Sequence, residues 1–286
     1  MPPSNDPVLA EDALEDLWGS FRPLADAQFI VEFCSGNETQ LLERFSEMYL
    51  SRQLLEQGLQ LSSNDHGPDI RIDTFEPPVW LEMVTPAIGQ GPNRLPEEYA
   101  DPDVADSAVA VYSVPHEAIL LRWTSSIRQK WEKFEEYKAE AIVSNHDPCV
   151  IAVNSIQLRH AGFDGISQFP VAIEAVYPIG PQQVHFDKET LEVVGQDLAY
   201  RPEIINANQS SIPTDLFLDQ AYSSISAVLA FHKKPEHLVH EGGRDMIVVH
   251  NINASNQIPH GMFATAQEFW LEPVSDEEYR ICSDPP

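Results

Sequence analysis

The sequence is poor in cysteine, in long apolar runs and in basic residues. Its three cysteines, Cys34, Cys149 and Cys282, are far apart and odd in number, which indicates neither a disulfide framework nor a metal knuckle. No stretch reaches the roughly 20 apolar residues that a transmembrane helix needs, so we expect no membrane partner. The first residues are acidic where a secretory signal would be basic and then apolar. Together these absences favour a cytoplasmic protein.

The scarcity of basic residues limits the possible functions. Against 45 Asp and Glu stand 17 Lys and Arg, which gives the 286 residues a formal net charge of -28. Only residues 111–160 are balanced, with six residues of each sign. A nucleic-acid binder normally has a broad basic face, so this distribution argues against tight nonspecific DNA binding. The hydrophobic fraction of 43% is that of an ordinary globular protein.

Hydrophobic periodicity and turn residues predict a mixture of helices and strands. Predicted helices are EDALEDLW, LADAQFIVEF, NETQLLERFSEMYLSRQLLEQG and TSSIRQKWEKFEEYKAEAI. Predicted strands are LQLSS, DIRID, VWLEMV, CVIAVNSI, VAIEAVYP, VHFDKETLEVV, SSISAVLAFH, DMIVVHNI and EFWLEP. The third helix has Asn37 as its N-cap and stops at Gly58, and the fourth has Thr124 or Ser125 near its start. Residues 86–118 are predicted to form a long loop.

One acidic residue, Glu82, lies inside the apolar strand VWLEMV. An unpaired carboxylate in a protein interior is costly, so Glu82 has to be exposed, neutralised, hydrogen-bonded or bound to a cation. Asp69 opens the preceding strand. Two carboxylates on adjacent strands form a stiff frame for Mg²⁺, which prefers oxygen ligands. The alternative is that Glu82 pairs with Arg71 or Arg122 and that Pro68-Asp69 is an ordinary turn.

A lysine on the fourth predicted helix has an unusual position. With a rotation of about 100° per residue, Lys130 falls within the apolar stripe that contains Trp123 and Phe134. A lysine on a buried helix face needs an anionic partner, and Asp69 with Glu82 is a natural one. Alternatively, Lys130 extends past the core to solvent or makes a structural ion pair.

The order helix, three strands, helix, strand resembles the PD-(D/E)xK nuclease superfamily over residues 38–155. The motif residues are Pro68-Asp69 and Glu82-Met83-Val84. The resemblance implies an α/β, restriction-endonuclease-like fold: a mixed central sheet flanked by helices, with a C-terminal β-rich extension. It also implies that Asp69, Glu82 and the carbonyl of Met83 bind Mg²⁺ or Mn²⁺. Val84 stands where the family has a lysine that helps to activate water. Some members move such a residue to a helix, and Lys130 is similar to that variation.

These inferences predict three segments and a function. Residues 1–37 form a helical segment, 38–160 the nuclease-like core, and 161–286 an extension of the same or a closely packed domain. The expected activity is metal-dependent phosphodiester hydrolysis of nucleic acid, with DNA as the expected substrate. Lys130 would orient water or stabilise charge. The alternative is a catalytically inactive member that engages a basic protein through its acidic surface. A homo-oligomer is also compatible with the sequence.

Other residues are weaker candidates for the same chemistry. Glu47 or Glu43 could join the metal ligands, as a glutamate of the first helix does in part of the superfamily, but both fall outside their helix's apolar stripe and are expected on a solvated face. Arg122, Thr124 and Ser125 could bind a phosphate at a helix N-terminus, although capping explains the hydroxyl groups equally well.

Two histidine-containing segments complete the candidates. His237 and His240 lie near acidic residues and could bind zinc, but a polar surface loop is the expected structure. His250 and His260 lack a nucleophile or base at a recognisable spacing. They are predicted to lie in a loop after a strand.

Overall fold

The computed structural model describes residues 7–63, 66–95, 114–158, 165–240, 245–275 and 278–284. The helices are α1 (Pro7–Phe21), α2 (Ala27–Phe33), α3 (Glu38–Glu56), α4 (His116–Ala139) and α5 (Val171–Glu174). The strands are β1 (Leu61–Ser62), β2 (Ile70–Ile72), β3 (Val79–Val84), β4 (Cys149–Asn154), β5 (Ile179–Phe186), β6 (Val193–Tyr200), β7 (Glu203–Ile205), β8 (Ser211–Pro213), β9 (Ala227–Phe231), β10 (Met246–His250), β11 (Ala266–Pro273) and β12 (Tyr279–Ser283).

A mixed eight-stranded sheet organises the molecule, in the order β1-β2-β3-β4-β9-β10-β11-β12. Strands β3, β4 and β9 run parallel to one another, as do β10 and β11, and the other neighbouring pairs are antiparallel. Four of the eight strands follow residue 161, so the C-terminal part of the chain extends the sheet. The chain is therefore α/β, with helices packed on a mixed central sheet.

The two faces of the sheet belong to two separate cores. In β3, Val79, Leu81 and Met83 pack with α1, α2 and α3, whereas Trp80 packs on the opposite face with α4 and α5. Because successive strand side chains alternate between faces, Glu82 points to the α4 face. Burial on both faces explains why β3 and β4 read as nearly continuous apolar runs.

The N-terminal half follows local sequence rules closely. Pro23 separates α1 from α2 as predicted, and α3 is capped by Asn37, whose Oδ1 accepts hydrogen bonds from the amides of Thr39 and Gln40. Gly58, with φ of +79°, ends that helix in the left-handed region that favours glycine. None of the described helices is long and apolar enough to cross a membrane.

The prediction for the start of α4 is wrong. The helix begins at His116, about two turns before Thr124, and its buried residues Ile119, Leu120 and Trp123 continue the stripe of Ile127. Part of the predicted 86–118 loop is therefore helical, and residues 96–113 lie outside the described part of the chain.

Two strand predictions in the C-terminal half are also wrong. VAIEAVYP contains a single helical turn, α5, whose four residues are all buried, so its periodicity could not distinguish a helix from a strand. VHFDKETLEVV is a hairpin: Asp187 Oδ1 accepts hydrogen bonds from the amides of Glu189 and Thr190 and turns the chain between β5 and β6.

Candidate functional site

The site begins where the pairing between β2 and β3 ends. The last paired residues are Ile70 and Leu81, so no strand of the described part of the chain pairs with the outer edge of β3 beyond that point. Asp69, the residue before β2, fills this place, since its Oδ2 accepts a 2.6 Å hydrogen bond from the amide of Met83. The N–H and C=O of one strand residue point to the same side, so the carbonyl of Met83 also faces Asp69.

Helix α4 brings Lys130 to the same place. Its Nζ lies 2.8 Å from Oε1 of Glu82, whose side chain is 5% exposed. The other carboxylate oxygen, Oε2, has no hydrogen-bond partner among the described residues. Lys130 thus faces inward and meets Glu82, but it leaves half of that carboxylate uncompensated.

The expected arginine partners of Glu82 lie elsewhere. Arg71 pairs with Asp73 at 3.1 Å and stacks on Trp80, and Arg122 Nε donates to the carbonyl of Ala87. The cation beside Glu82 is therefore Lys130.

Helix α3 contributes a second buried carboxylate, which corrects the expectation of a solvated face for Glu47. Glu47 is 8% exposed and pairs with Arg44 at 2.7 Å, and Arg44 also contacts Glu32 at 3.0 Å. Glu43, one turn earlier, is half-buried.

These side chains surround a cavity of about 200 Å³. Helix α3 supplies Glu43, Arg44 and Glu47 to its walls, the β2–β3 edge supplies Asp69, and α4 supplies Gln129 and Lys130. Glu82 pairs with Lys130 but does not itself line the cavity. We call this the acidic cavity. Sequence reasoning did not identify Arg44 or Gln129, whose residue types and spacing carry no distinctive signal.

Burial and neighbouring negative charge raise the pKa values of the glutamates around the acidic cavity. Burial and the nearby charge of Asp69 raise the pKa of Glu82 to about 7, against the opposing effect of Lys130. The same two causes hold the pKa of Glu47 well above its usual range, although Arg44 and Lys130 lower it. Burial also raises the pKa of Glu43. Around this cavity stand four carboxylates and two cations: Glu43, Glu47, Asp69 and Glu82 against Arg44 and Lys130.

Lys130 itself is held in the charged form. Burial alone would lower the pKa of its ammonium, but the charges of Glu82 and Asp69 and the hydrogen bond to Glu82 outweigh that effect and raise it. The lysine therefore acts as a hydrogen-bond donor and a positive charge, not as a proton acceptor.

Several oxygen atoms at the acidic cavity are of the kind that could hold a divalent metal ion, although the described carboxylate oxygens of Glu47, Asp69 and Glu82 do not all lie within 4.8 Å of one another. Asp69, the carbonyl of Met83 and Glu47 offer hard oxygen atoms around the cavity, and Glu82, which pairs with the lining residue Lys130, has an unpartnered Oε2. A bound cation would offset the surplus carboxylate charge that raises these pKa values.

The candidate phosphate site does not lie at a helix N-terminus, because α4 begins at His116. Thr124 is 2% exposed, and its hydroxyl donates to the carbonyls of Leu120 and Leu121 within its own helix. Arg122 lies in the second turn rather than at the N-terminus. Neither residue lines the acidic cavity.

The two histidine-containing segments have different local structures. The segment of His237 forms a short 3-10 helix, Asp245 pairs with Lys233 at 2.5 Å, and residues 241–244 lie outside the described part. His250 ends β10, and His260 follows it in the loop before β11.

Comparison with known proteins adds no relative to this description. No protein-family model, curated protein or solved structure matches the chain.

Proposed function

We propose that this chain is a divalent-metal-dependent nuclease with a restriction-endonuclease-like fold of the PD-(D/E)xK type. It would hydrolyse phosphodiester bonds of nucleic acid, with DNA as the expected substrate. The element order α3, β1 to β3, α4, β4, with Asp69 before β2 and Glu82 in β3, supports the fold assignment.

One observation carries the proposal. Asp69, Glu47 and Lys130 come from three separate elements and line a single cavity, beside a buried glutamate with an unpartnered oxygen. Purely structural carboxylates are normally satisfied by hydrogen bonds or ion pairs. A cavity with surplus carboxylate oxygens suits a hard cation.

Each side chain has a defined role in this proposal. Asp69, Glu82 and the carbonyl of Met83 would hold Mg²⁺ or Mn²⁺, with Glu47 as a further ligand. The bound ion would supply an activated water and neutralise charge on the scissile phosphate. Lys130, charged and facing the cavity, would orient that water or stabilise the developing negative charge. Val84 lines the cavity but has no ammonium group, so Lys130 is the nearer candidate.

The surface of α4 predicts weak, salt-sensitive substrate binding. Arg128 and Lys133 are exposed, and each pairs with a glutamate on the same helix, at 3.1 Å and 2.9 Å. Few cations of this helix are thus free to contact phosphates. Activity should therefore be sought at low ionic strength.

The direct test is a nuclease assay on plasmid, linear and single-stranded DNA with Mg²⁺ or Mn²⁺. Asp69→Asn, Glu82→Gln and Lys130→Met should each lower the cleavage rate by about 100-fold or more, and chelation should abolish it. Glu135→Gln, an exposed acid on α4, is the matched control and should keep the parent rate. Undiminished cleavage by the three site variants would refute the assignment and indicate a contaminating nuclease. Undiminished cleavage by Lys130→Met alone would remove the role of that lysine.

A second candidate function is a catalytically inactive acidic interaction module. The 2.8 Å pair between Lys130 and Glu82 favours it, because a direct ion pair partly compensates the carboxylate without a metal. Under this alternative the parent would have no Mg²⁺ affinity, and Glu82→Ala would unfold the chain. Under the nuclease proposal, Glu82→Ala loses metal binding and keeps the fold.

A further inference from the structure

A second group of side chains with ligating atoms lies far from the acidic cavity. His250 ends β10, Glu268 lies in β11, and His260 is in the loop that connects these two parallel strands. One nitrogen of each imidazole and one oxygen of the carboxylate lie within 4.8 Å of one another. Because β10 and β11 are three and four strands from β3, the two sites are about 14–19 Å apart across the sheet.

The three groups converge on a single atom. Oε2 of Glu268 lies 3.1 Å from Nε2 of His250 and 2.9 Å from Nδ1 of His260. As a hydrogen-bonded cluster, this arrangement requires both imidazoles to direct a proton at one oxygen. A single divalent cation would replace both protons.

The spacing suits a small transition-metal ion. Ligands about 2.0–2.1 Å from a tetrahedral Zn²⁺ stand about 3.3 Å from each other. The two separations that involve Oε2 are a few tenths of an ångström shorter, and the two imidazole nitrogens lie within 4.8 Å of each other, so the side chains would have to shift to admit the ion. Two histidines with one glutamate form a recurrent three-residue zinc set that leaves a fourth position for water or substrate.

The surroundings hold the ligands in place. The amide of Gly261 donates to the other oxygen of Glu268 at 2.7 Å, which fixes the carboxylate plane. Gly261 has φ of +76°, a conformation that favours glycine. The hydroxyl of Tyr177 donates to the carbonyl of His250 at 2.6 Å. Such outer contacts orient metal ligands.

Access to the cluster comes from one side. The side chains of His250 and Glu268 are 10% and 5% exposed, whereas that of His260 is 56% exposed and packs edge-on against Trp270. A metal ion could therefore enter beside His260, and its fourth ligand would be solvent.

We propose that His250, His260 and Glu268 bind one Zn²⁺ or similar borderline-soft divalent ion, in a site separate from the acidic cavity. The imidazole ligands distinguish it from a Mg²⁺ site, which takes oxygen ligands. The ion would join β10, the following loop and β11, and so stabilise the folded chain. This inference does not depend on the nuclease proposal.

The test is a titration of the full chain with Co²⁺ and Zn²⁺ in the presence of excess Mg²⁺, which competes for sites made of oxygen ligands such as the acidic cavity. We expect one Co²⁺ per chain, detected by its visible absorption, displacement by Zn²⁺, and a higher melting temperature with Zn²⁺. His260→Ala should weaken binding by about 100-fold. Because His260 is exposed, this variant should fold as the parent does. Glu268→Gln tests the buried ligand.

The matched control is His185→Gln. His185 also pairs with a carboxylate, Asp197, at 3.0 Å, but it is exposed and is not part of the cluster. This variant should bind Co²⁺ like the parent. Absence of stoichiometric Co²⁺ or Zn²⁺ binding in the parent would overturn the proposal, as would unchanged affinity in His260→Ala.

Discussion

Glu82 and Glu174 are both buried glutamates, but their surroundings differ. Glu174, in α5, has no exposed surface, and both of its oxygens are satisfied: Oε1 accepts from the amide and hydroxyl of Ser167, and Oε2 contacts His116 at 2.5 Å and Arg201 at 3.3 Å. Glu82 has Lys130 on one oxygen and no described partner on the other.

The pKa values shift in opposite directions for this reason. Burial alone would raise the pKa of Glu174, but hydrogen bonds from His116 and Ser167 outweigh it and hold the pKa below its usual value. Burial and Asp69 raise the pKa of Glu82 to about 7. Glu174 is therefore a structural carboxylate whose oxygens are all used, whereas Glu82 keeps one oxygen that could bind a ligand.

The largest effect should come from the same substitution at the two glutamates. At pH 8, Glu174→Gln should destabilise the protein by about 3–5 kcal/mol, because it leaves Arg201 without its buried anion. Glu82→Gln should change the free energy of unfolding by no more than about 1 kcal/mol, because it removes a charge that burial penalises. Urea denaturation measures both. Equal losses would remove the distinction between the two sites.

Removal of the cation should have an intermediate effect. Lys130→Met should destabilise the protein by about 1–3 kcal/mol at pH 8, since Glu82 then lacks its remaining partner. The loss should shrink at pH 6, because Glu82 can be neutralised by protonation at little cost. Urea denaturation at the two pH values checks this. A loss that is the same at both would mean that Glu82 is ionised at pH 6.

The pH dependence of stability should differ in sign between the two sites. The folded-state pKa of Glu82, about 7, lies above its usual 4.5, so the metal-free protein gains stability from this group as the pH falls from about 7 to 4.5. Glu174 has a lowered pKa, so its contribution is full above its usual pKa and is lost as the pH falls below it. Subtracting the urea-derived curve of each Glu→Gln variant from the parent curve isolates each group. Parallel difference curves would contradict the assignment.

The smallest effect is expected at Thr124. Its hydroxyl bonds within α4 and reaches neither carboxylate, so Thr124→Val should cost about 0.5–1 kcal/mol and leave cleavage unchanged. Denaturation and the nuclease assay check the two parts. A large loss of cleavage with normal stability would mean that Thr124 takes part in the function of the site.

The surroundings of Glu82 could largely be predicted from the sequence, because the patterns that indicate them are local. One acid interrupts the apolar run of β3, and the helical periodicity of α4 places Lys130 on the buried face. These patterns predicted that the two residues meet, and they do so at 2.8 Å. The metal and catalytic roles remain predictions.

Features that depend on tertiary packing could not be predicted in this way. Glu47 lies outside the apolar stripe of α3, yet it is buried because the β2–β3 edge and α4 close over it. The network around Glu174 includes Arg201 and His116, which are 27 and 58 positions away, and its helical turn is buried throughout, which removes the periodic signal. The early start of α4 was missed because Thr124 and Ser125 resemble caps.

The most direct test of the central claim is a calorimetric titration with Mg²⁺. This ion prefers oxygen ligands, so the histidine cluster should not bind it. The parent should bind one Mg²⁺ in the acidic cavity, Asp69→Asn and Glu82→Gln should weaken binding by about tenfold or more, and Glu135→Gln should match the parent. A parent that binds no Mg²⁺ at millimolar concentration, or site variants with the parent affinity, would contradict the account.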